Sequence, residues 1–288
     1  YNFMPIIDWT RTQLDYKLPT DGLALRFNFI QFIIFEKYIL KLKDLEKRYN
    51  SIQLRIAEKE YKKMNSKDIN NLKFAIMGGL PAAEKKYTIN EFKKMLEAFK
   101  YVNKNILREN LKEFLKEILP VAEDVNVKMA LHPDDPPIPL FGLPRIVSSL
   151  DDYKFILNSY NSNSNGMTYC VGSLASSIKN DVYNIFETLK KKINFIHLRN
   201  IKIEKDRKSF YESNHISGDI DFIRIIKMIL KEEKRRKKCN LKFNIPMRPD
   251  HGHCLLDDQT KSLNPGYSAI GRMMGLSEIR GILKSFEY

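Results

Sequence analysis

Cysteine is scarce in this chain, with 3 residues in 288, at positions 170, 239 and 254 and without paired spacing. That is too few to staple a domain of this length, so a disulfide framework is excluded. A reducing, cytoplasmic setting is expected, with cysteine available as a ligand. Long apolar runs are missing too: none approaches the roughly 20 residues that a bilayer-spanning helix needs. The chain opens on YNFMP, without the charged and apolar regions of a signal peptide. That opening reads as the end of a strand, so the beginning is expected to be missing. No membrane partner is predicted, and no internal repeat or low-complexity domain is present.

Positive charge, by contrast, is plentiful: 49 Lys and Arg against 35 Asp and Glu leave a net +14. Such a surplus permits attraction to nucleic acid, anionic membrane or acidic small molecules. Its distribution argues against a focused patch. Lysines are spread over helix-like segments such as KYILKLKDLEKRY and KEEKRRKK and mixed with glutamates, which is how a solvated helix face reads. No nucleic-acid partner is expected. Composition, at 43% hydrophobic and 29% charged, is that of one globular domain over residues 1–288 with a sizeable core.

Short β-rich runs ending in polar or turn residues mark strands at 1–4, 127–132, 167–171, 193–198 and 243–248. Helical periodicity covers 24–49, 51–77, 88–100, 106–124, 150–160, 180–191, 219–238 and 268–285. In 219–238, Ile220, Ile223, Ile226 and Ile229 recur at helical spacing, Asp219 and Asp221 sit at the favourable N-terminal end, and the C-terminal end is basic. Strand and helix alternate, so the class is α/β with a parallel sheet. An eight-stranded barrel needs roughly three more strands than these five. The expectation is therefore a (β/α)8 TIM barrel lacking its first strands in this chain, with an open doubly wound sheet as the alternative.

Four of the apolar runs end at a potential metal ligand: His132 in MALHPDD, Cys170 in MTYCVGS, His197 in FIHLRN and Asp250 in IPMRPDHGH. Each has an ordinary explanation alone. A strand-end histidine is often just hydrogen-bonded, a buried cysteine is a small apolar residue, and Asp before His-Gly suits a turn or cap. On successive strand–helix units the four would converge at one rim of a barrel. Mixed imidazole, thiolate and carboxylate donors admit Fe(II), Mn(II), Zn or Co.

The strings YNFMPIIDWTRT, ALHPDDPP with GLPRIVSS, YCVGS, FIHLRN, IPMRPDHGH and NPGYSAIGR closely resemble the mannonate dehydratases of hexuronate catabolism, including the glucuronate branch. The resemblance runs across nearly the whole chain. It implies a xylose-isomerase-like barrel, a Mn(II) or Fe(II) cofactor, and a hydro-lyase converting D-mannonate to 2-keto-3-deoxy-D-gluconate. His132, Cys170, His197 and Asp250 match the family's metal ligands, and His251 and Tyr267 its acid–base pair, with the two roles unassigned.

Substrate contacts implied with it are Arg199, His215, Asp219 and Arg11. Arg199 follows His197 by two, on the same strand face, and suits either the substrate carboxylate or a structural ion pair. Asp219 suits a substrate hydroxyl or a helix cap, and Arg11, with Asp8, a loop or substrate contact. His253, Asp134 and Asp135 are expected to orient ligands, while Cys239 and Cys254 are read as inert. A homodimer acting on a small sugar acid is the expected assembly. Two other readings remain: a metal-dependent DNA endonuclease of a related barrel, which would want several metals and a basic groove, and an inactive fragment with two open sheet edges.

Overall fold

Turn and capping residues decide where the first elements fall. The computed structural model describes residues 1–78, 87–241 and 244–286. Strands β1 (Gln13–Lys17) and β2 (Leu23–Phe27) form an antiparallel hairpin with Tyr16 opposite Ala24. Asp21 turns the chain in the left-handed region at φ 60°, a conformation Asp tolerates better than most residues. Helix α1 (Phe29–Ile34) begins where the Asn28 side chain accepts from Gln31 N, and runs into a π turn at Phe35–Ile39. The single helix expected over 24–49 is thus replaced by a strand and broken helical turns. Leu25 and Phe27 are buried at strand spacing, and Asn28 caps a new element.

Two helices, α2 (Ser51–Tyr61) and α3 (Ser66–Met77), stand where one was expected over 51–77. Asn50 with Gln53, and Asn65 with Asp68, form reciprocal capping boxes that start each helix separately. Thr88 and Glu91 do the same for α4 (Ile89–Ala98). Helix α5 (Lys104–Asp124) buries Leu107, Leu111, Leu115 and Leu119, one per turn, and α6 (Leu150–Ser159) follows. Full burial of each such leucine contributes about 1.5–3 kcal/mol.

The alternating part of the chain then runs β3 (Met167–Cys170), α7 (Val171–Ala175), α8 (Val182–Leu189), β4 (Ile193–His197), β5 (Asn200–Ile203), β6 (Phe210–Ser213), α9 (Phe222–Lys238), β7 (Met247–Arg248) and α10 (Ala269–Ser285). β3, β4 and β7 form a parallel sheet in that order, with Cys170 opposite His197 and His197 opposite Arg248. The expected strand 127–132 is irregular, yet Leu131 bridges Met167 in parallel and its backbone N–H donates to Gly166 O at 3.0 Å. The segment at 1–4 is not a regular strand; Tyr1 alone reaches this edge, its ammonium donating to Ala130 O and its carbonyl accepting from His132 N. Of the strand expected at 243–248, Phe243 lies outside the described residues, and pairing is confined to β7.

A second sheet, antiparallel in the order β1-β2-β6-β5, was not anticipated. Its β5–β6 hairpin leaves β4 and returns beside β2, and so carries Glu212 toward the ends of the parallel strands. Ile225, Ile226 and Ile229 of α9 join the same core as Met167, Tyr169, Ile193 and Ile196. Asp221, whose side chain accepts from Arg224 N, caps α9. Asp219 does not; its carboxylate accepts from Ile203 N at 2.7 Å.

Candidate active site

Parallel register sets the first part of the site. Cys170 and His197 are neighbours at the ends of β3 and β4, and His132 follows Leu131 on the adjoining segment. One donor atom from each of His132, Cys170 and His197 lies within 4.8 Å of the others. Donors bound to one ion at about 2.0–2.3 Å stand up to about 4.5 Å apart, so a slight contraction would seat a metal. His132 Nδ1 faces the Pro133 carbonyl at 2.7 Å, an acceptor only, which leaves the lone pair on Nε2. Burial lowers the His132 pKa, against the pull of Asp250 and Asp135, favouring the neutral ring that ligation requires. His197 Nδ1 is buried without a hydrogen bond.

Asp250 stands beside this trio, its carboxylate 3.4 Å from His197 Nδ1 and 3.3 Å from the Arg248 guanidinium. Burial would raise its pKa, but His251, His197 and Arg199 outweigh burial and hold it well below the usual carboxylate range. Two imidazoles and a sulfur with an ionised carboxylate alongside are a set that suits Mn(II), Fe(II) or Zn.

A buried ion-pair ring supports the trio from below. Arg11, fully buried, grips Asp135 with both terminal nitrogens (2.8 and 3.0 Å) and Glu212 at 2.8 Å. Arg199 pairs with the same two carboxylates, at 2.6 Å to Asp135 and 3.0 Å to Glu212. Two guanidiniums thus face two carboxylates, which offsets the cost of desolvating each. Burial pulls Asp135 upward, yet Arg11 and Arg199 hold it well below the usual carboxylate range. Glu212, likewise raised by burial, is brought down to about 2 by His251, Arg199 and Arg11. Ser173 links the ring to the trio: its hydroxyl accepts from Arg199 at 2.7 Å and lies 3.0 Å from both the Asp135 carboxylate and Cys170 Sγ.

His251 sits between this ring and Tyr267. Its Nδ1 is 2.9 and 3.0 Å from the two Glu212 oxygens, and its ring meets Trp9 edge-on at 5.9 Å and Tyr267 at 5.5 Å. Tyr267 is half-buried, and burial together with Asp250 raises its phenol.

The expected substrate contacts fare differently. Arg199 and Arg11 both pair with Asp135 and Glu212, which is the ion-pair arrangement named for Arg199, and Arg11 is a fully buried strut. His215 is buried, its Nε2 3.3 Å from Pro249 O and its Nδ1 3.2 Å from Glu278 of α10. Asp219 binds the β5 backbone instead of capping a helix. His253 Nε2 pairs with the Glu212 carbonyl at 3.0 Å, a scaffold contact. Asp134 ties its own loop by accepting from Val147 N and Ser148 Oγ.

Glu212, Trp9, Ser173 and Arg248 carry no role in the sequence reading. The only signal for Glu212 is its spacing of two from buried Phe210, which puts a carboxylate on an inward strand face.

Soft and hard donors at the ends of parallel strands, with a carboxylate-held imidazole and a phenol alongside, have the chemistry of metal-assisted acid–base catalysis. Comparison with known proteins gives that class a family. The D-mannonate dehydratase (UxuA) family model matches residues 1–288. A mannonate dehydratase of Marinomonas sp. is 44% identical over 282 residues, covering 98% of this chain and 72% of the relative. Mannonate dehydratase 2 of Agrobacterium fabrum is 42% identical over 287 residues, covering 100% and 72%. The crystal structure of mannonate dehydratase from Streptococcus suis serotype 2 superposes with a TM-score of 0.71 at 32% identity, over 99% of this chain and 65% of that one. The chain belongs to the mannonate dehydratase family, whose members are metal-dependent hydro-lyases. It spans about two thirds of the length of the solved relative. The DNA-endonuclease alternative is not favoured.

Proposed function

We propose that this chain dehydrates D-mannonate to 2-keto-3-deoxy-D-gluconate at a divalent metal, Mn(II) or Fe(II), held by His132, Cys170, His197 and Asp250. The observation that carries this reading is the convergence of the first three donors within 4.8 Å, beside an ionised Asp250. Removing the C2 proton builds negative charge on the neighbouring carboxylate, which a bound divalent ion would stabilise.

The chain's own groups supply the proton transfers. Burial raises the Tyr267 phenol, which suits it to keeping its proton until the C3 hydroxyl departs. His251 is then the group for the C2 proton. A cation with free surface is also needed to meet the substrate carboxylate. Arg248 fits: its side chain is 41% exposed and reaches Asp250, whereas those of Arg199 and Arg11 are 3% and 0% exposed.

In the same reading the ladder of Leu131, β3, β4 and β7 belongs to a (β/α)8 barrel with its ligands on the C-terminal rim. The setting is cytoplasmic glucuronate catabolism by a homodimer that binds no nucleic acid; family membership and three free cysteines support it. The test is turnover of D-mannonate by the chain purified without oxygen and reloaded with Mn(II) or Fe(II). Metal-dependent 2-keto-3-deoxy acid that vanishes in His197→Ala is the expected result. A folded, metal-loaded chain without turnover overturns the reading.

A further inference from the structure

We propose that Glu212 is a positioning residue for this reaction: it pins a proton on His251 Nδ1 and so turns Nε2 of that ring to the substrate. The inference rests on the dehydratase reading for its chemistry and on the geometry around His251 for its substance.

Three atoms from two side chains surround His251 Nδ1. Both Glu212 oxygens lie at 2.9–3.0 Å, and Arg199 Nη1 lies at 3.4 Å. A guanidinium only donates, and an ionised carboxylate only accepts. Glu212 is kept ionised by Arg11 at 2.8 Å and Arg199 at 3.0 Å. The proton shared by the carboxylate and the imidazole therefore resides on Nδ1, and Arg11 and Arg199 are the other donors converging on Glu212 Oε1. Among the described residues Nε2 makes no hydrogen bond, so it is the nitrogen left for a ligand.

Glu212 is itself held firmly. It lies on β6 with a side chain 3% exposed, and its carbonyl accepts from His253 Nε2. The edge contacts of Trp9 and Tyr267 fix the plane of the His251 ring. The metal donors come from the parallel strands and their adjoining segments, whereas this carboxylate comes from the antiparallel sheet. The imidazole is thus fixed independently of any ion.

The consequence is chemical. An imidazole free to exchange tautomers presents Nε2 sometimes bare and sometimes protonated; pinned at Nδ1, it presents a single face. A proton accepted at Nε2 leaves an imidazolium against the Glu212 carboxylate, with the Nδ1–H bond unchanged. Charge thus develops next to a group already placed to meet it.

The closing experiment reads the tautomer directly. The chain has 5 histidines, so long-range proton–nitrogen correlation on histidine-labelled, Zn(II)-loaded protein is tractable, with His251→Asn identifying the signal. The expected spectrum has a protonated, pyrrole-type Nδ1 in the unsubstituted protein and an averaged or unprotonated one in Glu212→Gln. In parallel, Glu212→Gln lowers kcat about 100-fold or more while KM moves less than about threefold and metal content holds.

An unprotonated or averaged Nδ1 in the unsubstituted protein overturns the proposal, as does a folded Glu212→Gln with undiminished kcat. Should Glu212→Gln fail to fold, the spectrum of the unsubstituted protein still decides. A pinned Nδ1 in a chain that never turns over D-mannonate would count against the dehydratase reading, not against the pinning.

Discussion

Cys170 and His197 are direct register partners across the parallel pair β3–β4. A sulfur and an imidazole are therefore spaced by the sheet itself, and a one-residue slip of either strand would turn its side chain to the opposite face from the other. Ser173, 3.0 Å from Cys170 Sγ, fixes the sulfur from the other side.

This register predicts how metal is lost. Cys170→Ser keeps side-chain shape but replaces a soft, ionisable donor with a poorly ionising hydroxyl. Its metal affinity is expected to drop by more than the roughly 10–100-fold that loss of an outer partner causes. His132→Ala should act alike, while secondary structure is retained in both. Metal bound per chain after dialysis against a dilute chelator is the measurement. Full retention in both variants would remove the two residues from the ligand set.

Acid should weaken the fold through the buried ring. Asp135 and Glu212 have folded pKa values below their unfolded ones, 3.8 and 4.5, with Glu212 at about 2. A depressed carboxylate contributes stability above its unfolded pKa and loses it as pH falls through the folded one. Stability from Glu212 therefore declines from about pH 4.5 to about pH 2. Asp134 and Glu36, both raised by burial, act in the opposite sense and flatten the total. Urea midpoints across that range should fall less steeply in Glu212→Gln than in the unsubstituted chain. Equal slopes would mean that Glu212 is not linked to folding.

The candidate cluster of His132, Cys170 and His197 was legible because each residue ends a short apolar run, a pattern local to about six residues in each case. Glu212 was not legible. Its partners Arg11, Arg199 and His251 come from β-hairpin and strand-end segments far apart in sequence, and only the antiparallel sheet brings them together. The helix expected over 24–49 failed for a related reason. The apolar run from Phe27 to Leu40 is helical in its second part, and its periodicity masks the preceding strand, whose pairing with β6 is long-range. The spacing of Arg199 from His197 gave no sign of the two carboxylates from elsewhere in the sequence that claim its guanidinium.

Close packing behind Cys170 gives the last prediction. Gly172 is the second residue of α7, and a Cβ there would lie 2.7 Å from Arg199 Nε and 2.8 Å from the Arg199 carbonyl oxygen, just before β5. The carbonyl belongs to backbone and cannot swing aside, so Gly172→Ala must push α7 from the strand end or displace Arg199 from Asp135 and Ser173. Overpacking of this kind costs about 1–3 kcal/mol, and the shift passes to Cys170, two residues away. Both urea stability and metal affinity should fall together. Gly281→Ala is the control, since nothing lies within 4 Å of its added Cβ on α10. There, alanine in a helix should stabilise by up to about 1 kcal/mol and leave metal affinity unchanged. If Gly172→Ala behaves like Gly281→Ala on both measurements, the contact between α7 and Arg199 does not hold the cysteine in place.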